Sequence, residues 1–350
     1  METCITYINA RDGSCASFTG LRVGLNLKVS VSTRMNTPPT AGLFETLPAV
    51  ATGEYRNLRT PPSDKAARCR EYCDRLWAGF HPYADADFVQ DFPVHTHQRF
   101  WEMYLGNVLL DAGHHQLIAP KPGPDFGIEL NGQRIWIEAV TATPGDPGKP
   151  DSVAQPAPGP GGIISGYVPQ DQIVLRCSTA IHAKFPTQYN KHLQKGLIAP
   201  QDAYIIALNH SAAYYWVEVG TPPFVLRAVL GLGAHFVTLD RQSARITGSG
   251  IQYRGSIPKS SGALVDTNLF LSPESAPVSA VIGSVTSIGT PVNLQQGQHH
   301  DFGEDFRLIH NPHASNPLPQ GVVVRGEEVR VKLYDDRFEV SGRQLPLPLL

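Results

Sequence analysis

A chain of 350 residues can bury a sizeable core and hold one large or two modest domains. Its 29 Lys and Arg against 31 Asp and Glu leave a formal charge of -2, which weighs against a dedicated sequence-independent nucleic-acid binder while allowing a local basic groove. No apolar run approaches a membrane span and the first residues lack a signal-type apolar stretch, so a cytoplasmic location is the default expectation.

Residues 1–60 carry Gly, Ser and Thr, with Asn-Thr-Pro-Pro-Thr after Met35, and are expected to form a partly disordered N-terminal extension that packs little. Ser63-Asp64 can cap an amphipathic helix reaching Phe80, with Ala67, Tyr72, Leu76 and Trp77 near helical spacing. The five cysteines, Cys4, Cys15, Cys69, Cys73 and Cys177, are odd in number and scattered, which fits reduced thiols; Cys69 and Cys73 read as small buried residues of this helix. After the acidic segment Asp85 to Asp91, a second helix is predicted over His97 to Asp111. It stops at Gly113 and presents Phe100, Trp101, Tyr104, Leu105, Val108 and Leu109 as a broad apolar face. A short strand is expected around Gln116 to Ala119.

The stretch from Gly123 to Val140 then reads as a β-hairpin, because Asn131-Gly132 tolerates the positive φ angles of a type I′ turn. With those two as loop residues, Leu130 opposes Gln133, Glu129 opposes Arg134, Gly127 opposes Trp136 and Asp125 opposes Glu138. Opposed residues share a face, so Asp125 and Glu138 would repel unless a cation lay between them. Mg²⁺, with its preference for oxygen ligands, is the simple remedy.

Beyond Val140 the density of Pro and Gly predicts an irregular loop over residues 141–170. Order returns at Ile173, and Ser178 can cap a helix carrying Ile181, Lys184, Gln188, Lys191 and Lys195, with Pro186 as a kink. Lys184, Gln188, Lys191 and Lys195 form a polar stripe whose plain explanation is a solvated face; with Arg176, His182 and His192 it is also the best basic patch for phosphate contact. Ala203 to Asn209 is an apolar run suited to a central strand, and Pro222 to Leu232 a further helix. Residues 241–350 read as a β-rich extension packed on the core, with a strand from Val278 and a hairpin from Val322 to Val340 over Asp335-Asp336. His299-His300-Asp301 and His310-Asn311-Pro312-His313 match no zinc-ligand spacing and read as surface loops. The core, residues 61–240, is therefore expected to be α/β, a mixed sheet flanked by helices.

Pro124-Asp125, a hairpin, and Ile135-Trp136-Ile137-Glu138-Ala139-Val140, in that order, resemble the PD-(D/E)XK nuclease superfamily, whose fold is restriction-endonuclease-like. The resemblance covers roughly Phe100 to Asn209. It implies Asp125 and Glu138 as ligands of a catalytic Mg²⁺ or Mn²⁺, a third acid, Glu102, from the preceding helix, and phosphodiester hydrolysis of DNA or RNA. Val140 stands where the family places a lysine that assists the attacking water. Either the chain is an inactive relative, a non-catalytic nucleic-acid- or protein-binding module, or another lysine substitutes. Lys184 is the first candidate and Lys121 its rival, with Arg176, Gln188 and Lys191 as phosphate contacts.

Overall fold

The computed structural model describes residues 42–114, 117, 122–154, 168–213, 222–290 and 302–345. Two helices, α1 (Gly53–Arg59) and α2 (Asp64–Phe80), begin at side-chain caps: Thr52 Oγ1 accepts from Tyr55 N and Ser63 Oγ from Ala66 N. These caps satisfy amides that a helix start leaves without partners. A single turn, α3 (Phe88–Asp91), leads to α4 (Thr96–Asp111), which ends as expected at Gly113 with φ +93°. The Gly113 and His114 amides fold back onto the Leu110 and Leu109 carbonyls, a C-terminal stop that a left-handed glycine permits.

The hairpin consists of β1 (Phe126–Leu130) and β2 (Gln133–Thr141), joined by Asn131 and Gly132 at φ +53° and +77°. The rest of the chain adds α5 (Gln170–His182), a π-helical stretch over Ala183–Gln188, α6 (Tyr189–Gln194), β3 (Ala203–Asn209) and α7 (Phe224–Leu230). Eight strands follow: β4 (Leu232–Leu239), β5 (Ile246–Tyr253), β6 (Ser256–Pro258), β7 (Leu264–Asp266), β8 (Ala280–Ser284), β9 (Arg307–His310), β10 (Glu327–Leu333) and β11 (Phe338–Gln344).

The result is a mixed α/β architecture around one seven-stranded sheet of order β1-β2-β3-β8-β9-β10-β11. β2, β3 and β8 run parallel at its centre, while β1 and β9 are antiparallel to their neighbours β2 and β8. Alternation along β2 and β3 builds two cores. Ile135, Ile137, Ala139, Ile205 and Ala207 face α1, α2 and α4, whereas Trp136, Tyr204, Ile206 and Leu208 face α5, α6 and α7. β3 is buried along its whole length, as a central strand covered on both faces must be. α4 is buried nearly all round and is tied to the sheet by Trp101, whose indole N–H donates to the Ala207 carbonyl at 2.8 Å.

Four expectations change. Part of the N-terminal extension belongs to the core, since Leu43, Tyr55 and Leu58 are buried against α2 and α4. The C-terminal extension is no appendage, because β8, β9, β10 and β11 complete the sheet itself. The helix after the loop starts at Gln170 rather than Ser178, and Ser178 is a buried mid-helix residue, because Ile173, Val174 and Leu175 supply helix-face contacts to the second core. His310 is likewise not a loop residue. It ends β9, buried, and meets Glu328 Oε1 at 2.8 Å. The expected strand at 116–119, Lys121, and His299-His300-Asp301 lie outside the described residues, apart from Leu117. No helix among the described residues is long and apolar enough to cross a membrane.

Candidate active site at the end of the first hairpin

The hairpin register runs as counted, with Leu130 opposite Gln133, Glu129 opposite Arg134 and Gly127 opposite Trp136, but the ladder ends at the Phe126–Ile137 pair. Asp125 is therefore not a strand partner of Glu138. Its Oδ2 instead accepts the Ala139 amide at 2.8 Å, taking the place that the next residue of β1 would have filled. Where β1 leaves β2, α4 closes the exposed edge: Gln98 Nε2 donates to the Ala139 carbonyl at 3.2 Å, and the Thr141 amide donates to Gln98 Oε1 at 3.1 Å. Backbone groups abandoned by one strand are thus satisfied by side chains of a helix.

Glu102, one turn along from Gln98, sits beside this gap, buried. Gln98 Nε2 donates to its Oε1 at 2.9 Å and Arg99 to its Oε2 at 2.7 Å. Arg99 also reaches Asp85 at 3.0 Å and Asp91 at 2.6 Å, so the acidic segment ahead of α4 converges on one guanidinium. Burial, and then the charge of Asp125, push the Glu102 carboxyl above the usual carboxylate range despite Arg99 and Gln98. Glu102 and Asp125 are consequently close enough to repel.

Glu138 points to the opposite face, toward α5 and α6, and is 2% exposed. Lys184 Nζ donates to its Oε2 at 2.8 Å, and His192 Nε2 lies 2.6 Å from its Oε1. The π-helical stretch makes this possible: Phe185, at φ -137° and ψ 131°, breaks the helical path and lets Lys184, before the break, and His192, after it, approach one carboxylate. Burial works against the Lys184 charge, but Glu138, then Asp125 and Glu102, outweigh it and hold the ammonium above the ordinary lysine range. Burial, reinforced by Lys184, pushes His192 below its ordinary value. A neutral His192 donating its Nε2–H to Glu138 accounts for that short contact.

The structure therefore gathers Asp125, Glu138, Glu102 and Lys184 around the end of the hairpin, one electrostatic neighbourhood drawn from four separate segments. The expected phosphate contacts fare differently. Arg176 Nε donates to the Thr143 carbonyl at 2.7 Å, so it anchors the chain leaving β2. Lys191 is exposed on α6, and Gln188 Nε2 lies 3.1 Å from His192 Nε2. Gln98 and Arg99 were not singled out from sequence, and His192 was placed in the basic patch expected to contact phosphate rather than beside Glu138. Their spacing did carry a signal, because Gln98 and Arg99 stand four and three residues before Glu102, and His192 four after Gln188. Among the described residues, no group of three His, Cys, Asp or Glu side chains is placed to hold a metal ion jointly.

The elevated Glu102 pKa predicts a pH dependence of stability. The folded state holds this proton more tightly than the unfolded chain, so stability falls as pH rises from the ordinary carboxylate range through the elevated folded value. Glu102→Gln, which stays neutral, removes that decline. Its melting temperature relative to the wild type is expected to be higher at pH 7 than at pH 4, and equal pH slopes in thermal melts of the two proteins would refute the assignment.

No protein-family model, curated protein or solved structure matches this chain.

Proposed function

We propose that this chain is a metal-dependent nuclease of the PD-(D/E)XK type, hydrolysing phosphodiester bonds of DNA or RNA with Mg²⁺ or Mn²⁺. The observation that carries the reading is the convergence at the point where β1 parts from β2: Asp125 accepts the Ala139 amide, Gln98 bridges Glu102 to the Ala139 carbonyl, and Lys184 pairs with the adjacent Glu138. Asp125 raises the pKa of Glu102, and all three carboxylates raise that of Lys184.

The donor set fits a hard divalent cation. Carboxylate oxygens are its preferred protein ligands, one or two of them suffice alongside water and phosphate oxygens, and the Asp125–Glu102 repulsion is what a cation relieves. Asp125 and Glu102 would hold it, with Glu138 joining once Lys184 turns from it toward substrate. Bound there, the cation supplies Lewis acidity that lowers the pKa of water and neutralises charge on the scissile phosphate.

The side chains of the chain itself divide the remaining work. Lys184, held protonated by its acidic neighbours, donates N–H bonds and positive charge to a phosphate oxygen; it does not act as a base. Arg99 and Gln98 fix the Glu102 carboxylate, and His192 fixes that of Glu138.

One observation favours the second reading, a binding module that keeps the fold without the chemistry. Both oxygens of Glu138 are already engaged, by Lys184 and His192, and Val140 follows at the position two residues on.

Supercoiled plasmid, single-stranded DNA and RNA, incubated with Mg²⁺, Mn²⁺ or EDTA, separate the two. The wild type is expected to cleave with metal and not with EDTA. Asp125→Ala should be inactive yet folded, losing one hydrogen bond to Ala139 worth about 1 kcal/mol. A wild type that binds nucleic acid in gel shifts but cleaves nothing with either metal supports the binding module.

A further inference from the structure

Tyr204 carries a polar group that the arrangement around Glu138 leaves unspent. The tyrosine is 1% exposed on β3, and among the described residues its hydroxyl has no hydrogen-bond partner. A buried hydroxyl in that condition forfeits its bonds to water and gains none in exchange, whereas phenylalanine would fill the same space without that cost.

Its place in the sheet identifies a partner. β2 and β3 are parallel with Tyr204 beside Trp136, so Tyr204 and Glu138 share a face and stand one strand across and two residues along. That is a Cα separation of about 8 Å, within the joint reach of a tyrosine and a glutamate. α6 packs over both. The Tyr189 ring lies edge-on to that of Tyr204, with 5.1 Å between centroids, and His192, three residues further on, meets Glu138 at 2.6 Å. Burial, and then the charges of Glu138 and Asp125, raise the Tyr204 phenol far above its ordinary range, so it keeps its proton. Neighbouring donors on this face are committed elsewhere: Trp136 Nε1 donates to Asp202 Oδ2 at 2.8 Å, and Gln188 Nε2 lies against His192 at 3.1 Å.

We propose that Tyr204 is a positioning residue of the metal site, its hydroxyl donating to Glu138 Oε2 once Lys184 leaves that oxygen. The inference rests on the nuclease reading and extends it. With Lys184 turned to substrate, Glu138 keeps the His192 contact alone, and a carboxylate this deeply buried requires further donors. A cation supplies charge on one side of the group, and Tyr204 fixes its orientation from the sheet. Tyr204 therefore acts only through Glu138.

Tyr204→Phe tests this with three readings. In EDTA its melting temperature is expected to equal or exceed that of the wild type, because no bond is lost; a lower value would mean that the hydroxyl is already bonded in the metal-free protein and would overturn the proposal. Calorimetric titration is expected to show Mn²⁺ binding weakened by about 10- to 100-fold, the usual cost of removing a group that orients a metal ligand. In ultraviolet difference spectra, Mg²⁺ should move a tyrosine band to longer wavelength in the wild type and not in Tyr204→Phe, a signature that a purely structural role would not give. Equal Mn²⁺ affinity in the two proteins, or identical difference spectra, would remove this role from Tyr204 and leave the nuclease reading standing. A wild type that binds neither ion would overturn both.

Discussion

Glu138→Ala is expected to lower the unfolding free energy by about 3–5 kcal/mol, the usual cost of removing one partner from a buried ion pair. Glu138 is 2% exposed and the side chains of Lys184 and His192 are 21% and 5% exposed, so truncation leaves an ammonium in a half-dry site with its strongest partner gone. The loss should be partly recovered in the double variant Glu138→Ala/Lys184→Met, which removes the orphaned charge and keeps the apolar stem. Urea denaturation of the two single variants and the double closes a cycle, and a coupling near zero would show that the pair is not held as described. The same substitution should eliminate metal-dependent cleavage. Loss of cleavage in Asp125→Ala, which gives up the hydrogen bond from the Ala139 amide but leaves the Glu138–Lys184 pair in place, would separate the chemical effect from the structural one.

Lys184→Ala should lower turnover by ~10²-fold or more, the typical consequence of removing one donor to developing negative charge. It should also tighten Mn²⁺ binding, because Glu138 Oε2 loses the ammonium that competes with a cation for it. Calorimetric titration with Mn²⁺ beside single-turnover cleavage reads both quantities. Slower turnover with weaker metal binding would mean that Lys184 serves only to hold Glu138 in place, whereas unimpaired turnover would remove it from the chemistry.

Much of the scaffold follows from interactions over a few residues. Asn131-Gly132 accept positive φ and thereby set the hairpin register, Gly113 stops α4, and the unbroken apolar run from Ala203 to Asn209 has the composition of a strand covered on both faces. Dihedral preference and hydrophobic period act locally, so the sequence carries them openly. Of the C-terminal strands, β8, β10 and β11 were legible as strands for the same reason, whereas β9 was read as a loop and membership of the main sheet depended on β8 finding β3 more than seventy residues earlier in the chain.

The site lies at the other extreme. Its acidic members were visible as a spacing, but only tertiary structure decided that Asp125 leaves the ladder to bind the Ala139 amide and that Glu138 turns toward the opposite layer. Lys184 meets Glu138 across 46 residues of sequence, and His192 across 54, through a helix that begins earlier than its capping signals suggested and breaks at Phe185. Helical spacing places Lys184 and His192 relative to one another only if the helix is regular. The break removes that regularity, and the packing of α5 and α6 on the sheet, rather than any local preference, brings both side chains to a single carboxylate.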